Sequence, residues 1–203
     1  MSKISRRTAL GLTCAAALAA GAPALAQDQR VLSEVSKYLN QLHAIKGRFT
    51  QINADGSRSK GDYYLMRPGR IRFEYDGDQA MVISSGINVA IFDAKATTKV
   101  QRYPLSQTPL RFLLADDIDL TRRNMARGTG SKNGYTTVEL QDPKNPGDGS
   151  MTLTLRNRPP ALTEWAVTDA SGSRTRVILE SLEYDSSISP QLFNIEAEAR
   201  RWP

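Results

Sequence analysis

From Arg48 to Ser181 apolar residues recur at every second position, and that period restricts the fold more than any other feature of the chain. Successive side chains of a strand point to opposite faces, so such a pattern lays one face on a core and turns the other outward. Its clearest instance is Arg67-Pro68-Gly69-Arg70-Ile71-Arg72-Phe73-Glu74-Tyr75. Pro68-Gly69 is a turn signal, because proline presets φ and glycine tolerates a positive φ. Beyond it Ile71, Phe73 and Tyr75 share one side, and Arg70, Arg72 and Glu74 the other. The same period predicts strands over 48–52, 61–66, 70–75, 80–84, 89–93, 100–103, 135–141, 151–156, 162–168 and 174–181, with a last one near Phe193. Turns such as Asp55-Gly56, Asp76-Gly77, Ser85-Gly86, Asn133-Gly134 and Ser171-Gly172 separate them. The expected class is α+β, mainly antiparallel β, with one strongly curved sheet of ten or eleven strands forming a barrel or part of one.

One segment precedes this period and another interrupts it. Val31, Leu32, Val35, Tyr38, Leu39 and Leu42 recur at helical spacing, with Asp28 as the expected N-cap and Lys46-Gly47 as a basic last turn and C′ glycine. The opposite face carries Ser, Glu, Lys, Asn and Gln. Thr108-Pro109-Leu110-Arg111-Phe112-Leu113-Leu114 predicts a short helix lying across the sheet, apolar on more than one face. Residues 115–129 are read as a loop or helical turn leading into an edge strand, and Gly128-Thr129-Gly130-Ser131-Lys132 as a flexible turn.

Residues 1–26 have the layout of an export signal. Lys3, Arg6 and Arg7 are basic, 9–20 is an apolar run, and Ala24-Leu25-Ala26 forms an A-x-A cleavage site. Ser5-Arg6-Arg7-Thr8-Ala9-Leu10 fits a twin-arginine signal as well as an ordinary one. Cleavage leaves 177 residues, enough for one domain over 27–203 with a sizeable core. It also lowers the formal charge from +6 to +3 and removes Cys14, the only cysteine. The remaining charge is scattered, which argues against nucleic acid as a partner. Thiol chemistry and disulfides are excluded from an exported mature chain without cysteine.

Catalytic equipment is equally sparse. His43, the single histidine, has no orienting carboxylate nearby in sequence, and one histidine without cysteine makes no zinc site. Asp116-Asp117-x-Asp119 lacks the glycine and the terminal glutamate of a calcium loop and reads as a solvated acidic loop. Neither catalytic residues, metal nor cofactor are expected. The residues point to binding, not to an enzyme.

In order and spacing the chain resembles the LolA-type periplasmic carriers of outer-membrane lipoproteins. The resemblance rests on Phe49-Thr50-Gln51, Gly61, the segment from Arg67 to Tyr75, Ser84-Ser85-Gly86, Ile91-Phe92-Asp93, Tyr103-Pro104-Leu105, Thr108-Pro109-Leu110, Leu113-Leu114, Asp169-x-x-Gly172 and Phe193. Where the family commonly ends in Phe-x-Phe and a Pro-x-Gly-x-Asp turn, this chain runs from Phe193 through an Ala- and Glu-rich stretch to Trp202-Pro203. The resemblance implies an incomplete, half-open barrel with a helical lid over an apolar cavity that shields acyl chains. It also implies a monomer that receives acylated lipoproteins from an inner-membrane ATP-driven complex and delivers them to an outer-membrane acceptor.

Alternation then nominates Leu65, Ile71, Phe73, Met81, Ile83, Ile91, Leu153, Leu155, Trp165 and Val177 as cavity lining. Leu110, Leu113 and Leu114, with the first helix, would form the lid. The resemblance makes Arg67 the latch that bonds lid backbone when the carrier is empty. Helices that simply plug the barrel as core are the competing reading of the same apolar stripes. A module of this fold that binds or senses lipid without shuttling it is the alternative function.

Overall fold

A computed structural model describes residues 22–77, 80–122 and 125–202. Lys3, Arg6, Arg7 and Cys14 of the expected export signal lie outside them.

Among the described residues the chain forms twelve strands: β1 (Ala44–Ile52), β2 (Arg58–Met66), β3 (Arg70–Tyr75), β4 (Ala80–Ser85), β5 (Asn88–Asp93), β6 (Val100–Pro104), β7 (Ala126–Lys132), β8 (Tyr135–Gln141), β9 (Ser150–Asn157), β10 (Pro160–Thr168), β11 (Arg174–Leu179) and β12 (Glu183–Tyr184). All pair antiparallel in one sheet of order β6-β5-β4-β3-β2-β1-β11-β10-β9-β8-β7, with β12 also on β1. Two meanders thus meet at the β1–β11 seam, where Gln51 stands opposite Val177. The outer strands β6 and β7 do not pair with each other, so the barrel is left open.

The helices are α1 (Ala22–Gln41), α2 (Leu110–Leu114) and α3 (Ile195–Arg201). α1 begins upstream of Asp28, so that residue is no N-cap; its carboxylate instead accepts a hydrogen bond from the Thr129 hydroxyl of β7. Cleavage after Ala26 would remove the first five residues of α1. Lys46-Gly47 lies inside β1, not at the helix end. A Cβ on Gly47 would stand 2.1 Å from the Ser181 carbonyl oxygen and 2.9 Å from the Tyr63 ring, so close strand packing selects this glycine. The expected turn at 128–132 is the second half of β7, closed onto β8 by Asn133 and Gly134, both at positive φ. Phe193, expected in a strand, ends the 3-10 turn Pro190–Phe193, which runs into α3. Asn194 caps α3, its side chain accepting from the Ala197 amide at 2.9 Å.

The sheet is buried on both faces over its first half. Its inner face carries Phe49, Tyr63, Leu65, Ile71 and Phe73 beneath α1 and α2. Its outer face carries Met81, Ile83, Ala90 and Phe92 beneath Ile188, Phe193 and Ile195. Arg72 fastens that outer layer: buried, it bonds Glu74 at 2.6 Å and the Leu192 carbonyl at 2.9 Å, with Glu198 at 3.4 Å.

β12 is held by an exposed device with a pH signature. Lys46 Nζ lies 2.8 Å from Asp185, and that hydrogen bond, with others from Ser187, holds the Asp185 carboxyl down to about 2. A carboxyl depressed on folding adds stability above its unfolded value near 4, and that increment disappears as pH falls towards 2. Asp185→Asn is therefore expected to lower the melting temperature at pH 6 and to show a shallower decline between pH 4 and 2. Identical acid limbs for both proteins would remove the pair from the stability of this strand.

Candidate lipid-carrying interior and its latch

The inner face of the sheet gathers aromatic side chains at its centre. Phe49 meets Phe73 and Tyr75 edge-on at 5.1 and 5.3 Å between ring centroids, and Phe73 lies 6.1 Å from Trp165. Around them one continuous apolar cluster contains Leu65, Ile71, Phe73, Leu153, Leu155, Trp165 and Val177, together with Leu113 and Leu114 of α2 and Leu32, Val35, Leu39 and Leu42 of α1. Leu110 packs against this cluster while only partly buried. Phe112 is also buried in it, so α2 presents most of its circumference to apolar neighbours.

Three residues nominated as lining stand elsewhere. Met81 and Ile83 are on the outer face, in the second cluster beneath the C-terminal segment. The inward residue of β4 is Val82, cross-strand from Ile91. Residues 80–83 are apolar throughout because β4 is covered on both sides, so alternation there carries no parity. Ile91 shares the inner side with Val82 but remains 39% exposed, at the rim beside edge strand β6.

α1 and α2 are held over this interior by polar contacts converging near Arg67. Arg67 is only 7% exposed. Its Nε donates to the Leu42 carbonyl oxygen at 3.2 Å, and its two terminal nitrogens donate to Asn40 Oδ1 at 3.4 and 3.3 Å. Its own amide donates to the His43 carbonyl at 2.8 Å. The guanidinium thus bonds one carbonyl just past the end of α1, where a helix favours positive charge. Burial lowers its pKa, and the carboxylates of Asp116 and Asp117 act in the opposite sense. These acidic residues contribute to the field around Arg67, beyond the solvated loop their spacing suggested. His43 itself is exposed.

Asn40 is the hub that sequence reasoning missed. Its Oδ1 accepts from the Ile118 amide at 3.0 Å and its Nδ2 donates to the Ile118 carbonyl at 2.9 Å. One turn earlier, buried Ser36 accepts from the Leu120 amide at 2.9 Å while donating to Leu32. Ser36 and Asn40 therefore clamp the segment after α2 onto α1. Their i, i+4 spacing was a usable signal, but both had been assigned to the solvent face of the helix. α2 has two further ties. The Gly69 amide donates to the Leu114 carbonyl at 2.8 Å, and Arg111 bonds Asp142 at 3.0 Å and Asp148 at 2.8 Å. Gly69 adopts φ +76°, and a Cβ there would lie 2.5 Å from the Gly86 Cα, so the turn beside Arg67 requires glycine.

Among the described residues no group of three or more His, Cys, Asp or Glu is placed to hold a metal ion. No described helix is long and apolar enough to cross a membrane, which says nothing of strands.

Residues 40–196 match the family described as Outer membrane lipoprotein carrier protein LolA. An outer-membrane lipoprotein carrier protein of Pseudomonas aeruginosa is 27% identical over 191 residues, covering 89% of this chain and 91% of its own. That of Methylococcus capsulatus is 25% identical over 176 residues, covering 82% and 84%. A solved LolA superfamily protein of Nitrosomonas europaea aligns with a TM-score of 0.40 at 8% identity, over 82% of this chain and 98% of that one. With the family matched over most of its length, this chain belongs to the LolA outer-membrane lipoprotein carriers.

Proposed function

We propose that this protein carries lipoproteins across the periplasm by enclosing their acyl chains between the inner face of the sheet and helices α1 and α2. The supporting observation is a continuous apolar interior that α1 and α2 close by packing their own buried residues into it, with polar contacts near Arg67 fastening them at one end. Each methylene held out of water is worth about 0.8 kcal/mol, so two or three long chains amount to tens of kcal/mol. A bare lipoprotein therefore does not diffuse through water, and a carrier has to cover that surface. It must also let go without fuel of its own.

In this reading the occupied form displaces α2 and the following segment from the Phe73–Trp165 floor, and chains lie against Leu65, Ile71, Leu153, Leu155 and Val177. Opening breaks the Arg67, Asn40 and Gly69 contacts, and the lost bonds raise the free energy of the loaded state towards release. Cargo arrives from an inner-membrane ATP-driven complex and leaves to an outer-membrane acceptor. The chain performs no covalent chemistry.

Mass spectrometry of what copurifies with the protein from the periplasm tests this. Near-stoichiometric triacylated lipoprotein is the expected companion. Free phospholipid in its place would mark a lipid-binding module of the same fold, and an empty protein from cells with abundant lipoproteins would reject the carrier.

A further inference from the structure

The outer side of the sheet holds a second feature that the carrier reading does not use. Beside β3, β4, β5 and β6, a cleft of about 370 Å³ is lined by Arg70, Ser85, Asn88 and Arg102 and by Pro190, Gln191 and residues 193–196. Arg70 is half-buried, and its guanidinium has no hydrogen-bond or ion-pair partner among the described residues. Arg102 is paired with Glu196 at 2.9 Å, but both are well exposed, a setting in which such a pair contributes little. Glu196 is the only carboxylate lining the cleft, which leaves one net positive charge there.

Beside this cleft is exposed hydrocarbon. Ile87, in the turn between Ser85 and Asn88, is 77% exposed, the largest value among the exposed large apolar side chains of the described residues. The Leu105 amide donates to the Ile87 carbonyl at 2.8 Å, which ties this turn to the end of β6. A protruding isoleucine beside a guanidinium without a counter-ion matches a membrane interface: phosphate for the cation, acyl boundary for the apolar tip.

We propose that this corner of the sheet docks on an anionic phospholipid surface, with Arg70, Asn88 and Arg102 taking the phosphodiester and Ile87 entering the interface. The corner is continuous with the latch. Ser84 donates to the Gly69 carbonyl at 2.6 Å, and Gly69 in turn holds Leu114 of α2. Docking there would present the lid end of the molecule to the bilayer that supplies or receives acyl chains. The proposal does not need cargo in the interior, so its test is separate from that of the carrier.

The mature chain is floated with vesicles of phosphatidylglycerol or of phosphatidylcholine, at low salt and at about 0.5 M. Binding is expected to phosphatidylglycerol only and to weaken with salt. Arg70→Gln should lower it about fivefold, the worth of one basic side chain near an anionic surface. Ile87→Ser should lower it several-fold, and Glu196→Gln, which frees Arg102, should raise it. These side chains lie outside both apolar clusters, so unchanged melting curves control for folding. Absence of parent-chain binding, equal binding to both lipids, or indifference to Arg70→Gln and Ile87→Ser would overturn the proposal. So would saturable binding of inorganic phosphate without vesicle association, which would mark a soluble-anion site. Dimerisation abolished by Ile87→Ser would instead identify an interface between copies, and would overturn it as well.

Discussion

Arg67→Leu is expected to yield a folded protein that accepts acylated cargo but hands it on about thirtyfold more slowly than the parent chain. The closed form has one charge-assisted bond from Arg67 to the Leu42 carbonyl and two longer ones to Asn40. A bond to a charged group contributes about 1.5–3 kcal/mol, the long ones least, so a closing bias of about 2 kcal/mol is reasonable for the set. Opening forfeits that bias, and release regains it. Leucine retains an apolar stem but offers no donors, so the loaded form is no longer disfavoured by the same amount, and 2 kcal/mol is about thirtyfold in the partition. Stability should change far less. The guanidinium is buried without a carboxylate within salt-bridge distance, so removing it relieves a desolvation cost while leaving the Leu42 carbonyl short of a partner. Arg67→Lys keeps the charge but lacks the planar fork and is expected to fall between the two. The measurement is transfer of a purified, labelled lipoprotein from preloaded carrier to acceptor membranes, beside a urea denaturation of each protein. Parent-like transfer by Arg67→Leu would remove the residue from the mechanism, and a collapsed fold would make the arginine structural instead.

How far the chain could be read in advance follows from what covers each element. Strand 135–141 was recovered to the residue because alternation is unambiguous where one face is wet, and 70–75 because its covered outer face carries Arg72 rather than an apolar residue. β4 was found but assigned the wrong face, because the C-terminal segment covers its outer side and makes residues 80–83 apolar throughout. That segment was itself taken for a strand near Phe193. Its apolar residues meet the outer layer through Ile188, Phe193 and Ile195, about a hundred residues away from β4 and β5 in sequence. Lys46-Gly47 looked like a helix end because glycine there is a common stop. Only the approach of Ser181 and Tyr63 reveals a different reason for it. Arg67 drew notice through its place before Pro68-Gly69. Its partner Asn40 did not, since a polar residue on an amphipathic helix is indistinguishable from a solvated one until the segment at 118–120 is seen against it.

Asn40 therefore carries the second large effect. Asn40→Ala deprives both the amide and the carbonyl of Ile118 of their side-chain partner, beside a residue that is almost wholly buried. A buried backbone group left unpaired costs about 1–3 kcal/mol, so the substitution is expected to destabilise the closed form by about 3 kcal/mol. It should also loosen the segment after α2 specifically. Amide exchange at Ile118 and Leu120 is expected to accelerate far more than exchange at Ile71 or Leu153, which lie in central strands. Arg67 shares Asn40 Oδ1 with Ile118, so the two side chains form one network. The double variant Asn40→Ala/Arg67→Leu should accordingly be less destabilised than the sum of the single variants, by about 1 kcal/mol or more. Additivity to within about 0.5 kcal/mol would mean that the arginine and the clamp act independently. In that event the latch would reduce to the Leu42 contact, and Asn40→Ala should transfer cargo as the parent does. Coupled energies together with impaired transfer in both single variants would instead make Asn40 the element that joins the α1 end of the lid to the α2 end, so that release at Arg67 frees both.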